Sequence, residues 1–190
     1  MIKEFDFSAL DLEKLEHPND DFFRVFKAEN SPAFFYKLNK IESMLHDKYL
    51  YLDDEYRNPQ TIHTIMTNYL SGALSGAINL FYEMGDFQGL IGFRKIIPRY
   101  KCRLFFKIWD KKLYSRNLVR SVRQLIEFIM NEFNLVRIST ESPDKRAIKG
   151  GRLAGFELEG EKENGFLWDG KFYKNYLLGK TRIVKDGGEG

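Results

Sequence analysis

The stretch from Tyr100 to Phe133 constrains the chain most, because its hydrophobic period changes once and the change falls on a basic turn. Cys102, Leu104, Phe106 and Ile108 alternate with their neighbours, so residues 100–109 read as a half-buried strand. From Ser115 onward, Leu118, Val122, Leu125, Ile126, Ile129 and Phe133 recur at steps of three and four. Arg116, Arg120 and Arg123 lie on another face, which predicts an amphipathic helix. The join, Asp110 to Ser115, therefore brings the unpaired amides of a helix start to the end of a strand. Such a corner favours anions, because free N–H groups and the positive end of the helix dipole point the same way. It suits a phosphate group, and equally a solvated strand-to-helix connection with a basic face.

Upstream, Ser8 and Asp11 cap a short helix carrying Leu12 and Leu15. Phe22, Phe23 and Phe26 suggest a second helical piece over Asp20 to Lys27. Ser31-Pro32 opens a helix with Phe35, Leu38, Ile41 and Leu45 at helical spacing. Asn58-Pro59 opens another, with Ile62, Ile65, Met66, Tyr69 and Leu70 inward, and Asp53 to Glu55 form a loop between the two.

From Ala77 the pattern turns to strands. Ile78, Leu80, Tyr82 and Met84 alternate up to a Gly85-Asp86 turn, Gly89 to Ile97 form the next strand, and the strand at 100–109 completes a meander. After the long helix, residues 135–140 form a crossover strand parallel to the strand at 100–109. A short helix over 144–154, interrupted by Gly150-Gly151, and two strands over 155–160 and 171–178 close the order.

Charge is uneven. Residues 1–95 hold 10 Lys/Arg against 15 Asp/Glu, a net −5, while residues 96–190 hold 20 against 12, a net +8. A basic second half suits nucleic acid, an acidic protein or a polyanionic cosubstrate, and it also suits simple solvation of a helix face. The single Cys102 excludes an intrachain disulfide framework and points to a reducing compartment. His17, His46 and His63 lack metal-ligand spacing, which argues against metal catalysis. Residues 1–6 lack a signal-peptide core and no run reaches membrane-spanning length, so the reading expects a cytoplasmic protein with no membrane partner.

The order of elements, with Asp144-Lys-Arg-Ala-Ile148, Leu153-Ala-Gly-Phe-Glu-Leu-Glu-Gly160, Asp169-Gly-Lys-Phe-Tyr173 and Leu177-Leu-Gly179, resembles the GNAT superfamily of acyl-CoA N-acyltransferases. The branch it looks most like acetylates protein N-termini, amino sugars and small amines. The resemblance implies an α+β fold: a mixed, mostly antiparallel central sheet flanked by helices and splayed between the strands near 101–109 and 135–140. One GNAT-like domain would span 1–180, helical over 1–76 and with its sheet core over 77–180, and 181–190 would be a loose tail. Acetyl-CoA would be the cosubstrate, with its pantetheine in the splay. A backbone amide around Ile108, Trp109 or Asp110 would polarise the thioester carbonyl.

The family's pyrophosphate loop, Gln/Arg-x-x-Gly-x-Gly/Ala, falls on Lys111, Tyr114 and Arg116, so both small residues are replaced. Lys111, Lys112 and Arg116, with the amides around Ser115, would then hold phosphate by charge. The family's Asn after the crossover strand falls on Asp144, and its acid Tyr falls on Gly151, leaving Tyr173 or Tyr176 to protonate the departing thiolate. Glu141 is the candidate base for an unknown amine acceptor, with Glu83 behind it.

Three functions follow as expectations. The first is an acyl-CoA-dependent N-acetyltransferase acting on an amine of a protein or small molecule. The second is a catalytically silent GNAT-fold module with a binding or structural role and a protein partner; degenerate GNAT-like proteins occur in bacteriophages, which makes a bacteriophage protein part of this expectation. Nucleic-acid binding through the Arg116, Arg120 and Arg123 stripe is the third, and no recognised module accompanies it.

Overall fold

The computed structural model describes residues 22–26, 32–43 and 78–182. The helices expected near Ser8 and after Asn58, the loop at 53–55, the three histidines and the chain beyond 182 lie outside those residues. Seven strands form one sheet in the order β1-β2-β3-β4-β5-β7-β6. They are β1 (Phe23–Val25), β2 (Ile78–Met84), β3 (Gly89–Ile97), β4 (Lys101–Ile108), β5 (Arg137–Ser142), β6 (Glu157–Trp168) and β7 (Lys171–Thr181). The helices are α1 (Pro32–Ser43), α2 (Arg116–Glu132) and α3 (Lys145–Leu153). Every pair is antiparallel except β4 with β5. The α+β class, the meander and the parallel crossover are as the sequence implied.

Alternation along the strands divides the interior in two. On β2, Leu80, Tyr82 and Met84 join Ile91, Phe93, Cys102 and Leu104 beneath α2, which contributes Leu118, Val122, Leu125, Ile126, Ile129 and Met130. Phe81 points the other way, to Phe26, Phe34, Ile41, Phe87 and Leu90 beneath α1. The stripe read on residues 118–133 is thus the face that α2 buries.

The helical piece expected over Asp20 to Lys27 is instead strand where it is described. Phe23, Arg24 and Val25 pair with Met84, Glu83 and Tyr82, and Phe26 N–H donates to Phe81 O at 2.8 Å. Three phenylalanines at positions 22, 23 and 26 fit one helix face, but they also fit two faces of a strand. Here Phe23 enters the α2 core and Phe26 the α1 core, so a free sheet edge decided the matter. The crossover strand starts at Arg137, two residues later than expected. Leu135 is fully buried below the helix end, with its N–H on Met130 O, and Val136 N–H reaches Tyr100 O.

The last hairpin is longer than its sequence suggested. β6 continues to Trp168, through an irregularity between Lys162 and Phe166, before Asp169 (φ +52°) and Gly170 (φ +67°) turn the chain. β7 then runs between β5 and β6 as far as Thr181, which pairs with Arg137. Gly151, interrupting α3, has its reason in packing: a Cβ there would come within 2.7 Å of Leu178 Cδ2.

Candidate active site at the parting of two strands

β4 and β5 pair only at Lys101 with Arg137, Cys102 with Ile138 and Arg103 with Ser139. At the next position, the Thr140 hydroxyl donates to Leu104 O at 3.0 Å, a side chain standing in for the backbone ladder. Beyond it, Phe105–Ile108 and Glu141–Ser142 are not paired with each other, and the sheet parts. This is the splay that the resemblance implied between the strands near 101–109 and 135–140.

The amides at the end of β4 are not equivalent. Trp109 N–H and Asp110 N–H both donate to Gln88 O, at 3.1 and 3.2 Å, so neither faces the gap. Amides alternate in direction along a strand. The Ile108 N–H therefore points to the opposite edge, into the parting.

The turn that follows holds itself together. The Asp110 carboxylate accepts from Lys112 N–H at 2.9 Å and from Gln88 Nε2 at 2.8 Å, and caps a 3-10 turn over Lys111–Leu113. These hydrogen bonds, backbone first, hold its pKa below the ordinary Asp value. Ser115 Oγ accepts from Leu118 N–H at 3.1 Å as the N-cap of α2. Tyr114 (φ −65°) and Ser115 (φ −145°) have ordinary backbone conformations, so this turn needs no glycine. Two amides that a phosphate would take are held by side chains instead. Lys111, Lys112, Tyr114 and Arg116 are exposed around the corner, and Arg116 opens α2.

Asp144 caps α3, accepting from Arg146 N–H at 2.9 Å, and it is ion-paired with Arg146 Nη2 at 2.7 Å. That pairing offsets the negative charge of the carboxylate at the start of α3.

The three residues suggested for proton transfer are not brought together. Glu141 lies at the parting, exposed, with Asn175 Nδ2 at 3.2 Å and Lys162 Nζ at 3.3 Å from its Oε2. Tyr176, opposite Ser142, is only 6% exposed and belongs to the α2-side core, where it lines a cleft of about 620 Å³ with Ile148, Arg152 and Leu158. Tyr173 sits out on the hairpin, across from Phe166 and 6.2 Å from the Trp168 ring. Glu83 is buried beneath α1, paired with Lys37 Nζ at 2.6 Å, two strands away from the parting.

Lys107 has no counterpart in the sequence reading. It lies on the α1-side face of β4, half-buried, with Nζ 5.9 Å from the Phe105 ring centroid. Burial, and then the charge of Arg94, lower its pKa to about 7. Its face is the one opposite Phe106 and Ile108 in the strand alternation, but the charge of Arg94 reaches it from β3, which sequence spacing does not show. Cys102 is buried, and burial raises its thiol pKa to about 12, which leaves it an inert core residue.

A mostly antiparallel sheet parted between two parallel neighbours, with a helix starting at the end of the first, is the GNAT fold. Solved structures agree. A spermidine N-acetyltransferase from Vibrio cholerae, solved with CoA and spermine, matches with a TM-score of 0.63 and 13% identity, covering 85% of this chain and 96% of its own. A ribosomal-protein-S5-alanine acetyltransferase from Vibrio fischeri matches with a TM-score of 0.63 and 13% identity, over 85% of this chain and 93% of its own. A GNAT-family acetyltransferase from Bacillus anthracis gives 0.61 and 12%, over 85% and 95%. At these identities the likeness is one of fold. No protein-family model matches the sequence, and no curated protein matches it.

Proposed function

We propose that the protein is an acyl-CoA-dependent N-acetyltransferase that transfers an acetyl group to a primary amine of a small molecule or protein. The observation that carries this reading is the parting of β4 from β5 with the Ile108 N–H directed into it. Acetyl-CoA supplies the electrophile, a thioester carbonyl. In the gap, the Ile108 amide donates to the oxygen on which charge develops, a fixed dipole that needs no reorganisation. Glu141, with a carboxylate oxygen toward Asn175 and Lys162, takes the proton from the attacking amine directly or through one water. Lys111, Lys112 and Arg116 hold the phosphates by charge at a turn whose Lys112 and Leu118 amides are already satisfied. Tyr176 is buried on the α2 side, so the thiolate takes its proton from solvent or from Tyr173 after movement of the hairpin. Neighbours of similar fold include an enzyme seen with CoA and spermine, which supports an acyl-CoA and an amine as the two substrates. The lone buried cysteine suits a reducing compartment, and we place the activity in the cytoplasm.

A second reading is a GNAT-fold module without catalysis that serves a protein partner. Asp110 and Ser115 favour it, since their side chains take the amides of Lys112 and Leu118.

The two readings separate in a thermal-shift series with acetyl-CoA, CoA and ADP, followed by thiol release in the presence of amines. A ligand present at about a hundredfold over its Kd adds about 2.7 kcal/mol to stability. We expect a shift of several degrees with acetyl-CoA and CoA, and amine-dependent thiol release. No shift with either thioester or thiol removes the transferase reading and leaves the module.

A further inference from the structure

The face beneath α1 carries a second arrangement that acetyl transfer does not explain. Glu83 is 7% exposed, a carboxylate on a central strand with aromatic rings around it. Lys37, from α1, reaches down so that its Nζ lies 2.6 Å from Glu83 Oε2 and 5.4 and 5.5 Å from the ring centroids of Phe26 and Phe87. Those two rings are nearly parallel, 5.8 Å apart with 13° between their planes. A carboxylate beside two aromatic faces is the chemistry that holds an ammonium ion.

The surroundings fix this arrangement. Phe87 adopts φ +55°, a conformation that costs a non-glycine residue energy and that sets its ring in the cluster. Its carbonyl is gripped by Trp109 Nε1 at 2.6 Å and approached by Lys40 Nζ at 3.4 Å. The Trp109 ring lies 4.8 Å from that of Phe87. A second cation also approaches this carboxylate: Arg24 Nε is 3.8 Å from Glu83 Oε1, and Arg24 Nη2 also faces Asp86. Glu83 opposes Leu90 on β3, and Leu90 opposes Lys107 on β4. At about 4.8 Å per strand, the carboxylate stands roughly 10 Å across the sheet from the end of β4.

We propose that Glu83, Phe26 and Phe87 form a seat for a primary ammonium group, and that Lys37 fills it as an internal stand-in. The proposal rests on the acetyl-transfer reading only for its role. The seat is too far from the Ile108 amide for the reacting nitrogen. It would hold a second amino group of an acceptor whose reacting nitrogen lies beyond β4, more than about 10 Å away, the substrate class being an extended diamine. A quaternary ammonium fits poorly, because the 2.6 Å contact needs an N–H donor.

Trp109 reports on the seat through Phe87. With Trp168→Phe in the background it is the sole tryptophan. In Lys37→Ala, n-butylammonium chloride should change Trp109 fluorescence saturably, at concentrations at least about tenfold below any effective with Lys37 in place, because a tethered side chain competes at high effective concentration. The same variant should gain thermal stability from n-butylammonium but not from sodium or tetramethylammonium chloride. Adding Glu83→Gln should abolish both effects. No response above the sodium chloride control, an equal response to tetramethylammonium, or a response that survives Glu83→Gln overturns the proposal. So does a Lys37→Ala chain that stays unfolded in the amine while Lys37→Arg folds. No acetyl-CoA enters these measurements, so the seat and the transferase reading stand or fall separately.

Discussion

Lys107 shows how far one residue can depart from its sequence context. In the unfolded chain it is an ordinary lysine near 10.4, while in the fold burial and Arg94 bring it to about 7. A base whose folded pKa is lowered binds fewer protons in the native state, so stability rises with pH between the folded and unfolded values. Below about pH 7 the full cost of burying its charge is present. Lys107→Met should therefore stabilise the protein at pH 7 by on the order of 1–2 kcal/mol, with the gain fading as pH approaches 10. Denaturant melts at the two pH values check this, and a gain that does not change with pH would show that the charge is not the cause. At the corner, Arg116→Ala should weaken acetyl-CoA binding about tenfold, an ordinary value for one charge-assisted contact, and leave the melting temperature without ligand unchanged. Unchanged affinity in a direct titration would take Arg116 out of the site. Glu141→Gln should lower kcat far more than it raises KM, and the acidic limb of the pH–rate profile should go with it. Identical profiles for the two proteins would move the base elsewhere.

Among the elements, those that carry their own pattern were legible and those that depend on partners were not. α2 announces itself because Leu118, Val122, Leu125, Ile126 and Ile129 follow the helix repeat and all are buried as that repeat requires. β1 was misread because its phenylalanines satisfy either geometry, and only the free edge of β2 selects one. β6 looked short because Glu157, Glu159, Glu161 and Glu163 along an edge strand carry no apolar signal, though Arg137 and Lys174 pair with three of them. The parallel crossover was legible in the pattern, but the parting beside it was expected only through the family resemblance. The fate of the turn amides was not, since it depends on Gln88 and on how two side chains lie. The turn from β4 into α2 makes its own prediction. Asp110 is held low by the Lys112 amide and Gln88, so its contribution is present above the unfolded Asp pKa and is lost as pH falls through the lower folded value. Asp110→Asn should lower the thermal midpoint by a few degrees between pH 5 and 8, with the deficit narrowing below about pH 4. A deficit of constant size across that range would assign the effect to shape instead of charge.

For the whole molecule, the order of strands matters more than any one contact. β7 is the last strand among the described residues, yet it lies inside the sheet, with β5 on one side and β6 on the other. Until it arrives, β5 offers the row of amides and carbonyls from Arg137 to Ser142 with nothing beside them, and β6 has no sheet to join. A chain ending at Trp168 should therefore collect in the insoluble fraction, whereas one ending at Arg182 should remain in solution, as fractionation of the two after expression would show. Equal solubility would mean that β5 is covered by something other than β7. The same arrangement sets a timetable on the ribosome. The meander and α2 emerge early and can begin to pack, but the sheet cannot close until Thr181 has cleared the exit tunnel. The last of these seven strands to be made is therefore the one that commits the sheet to its fold.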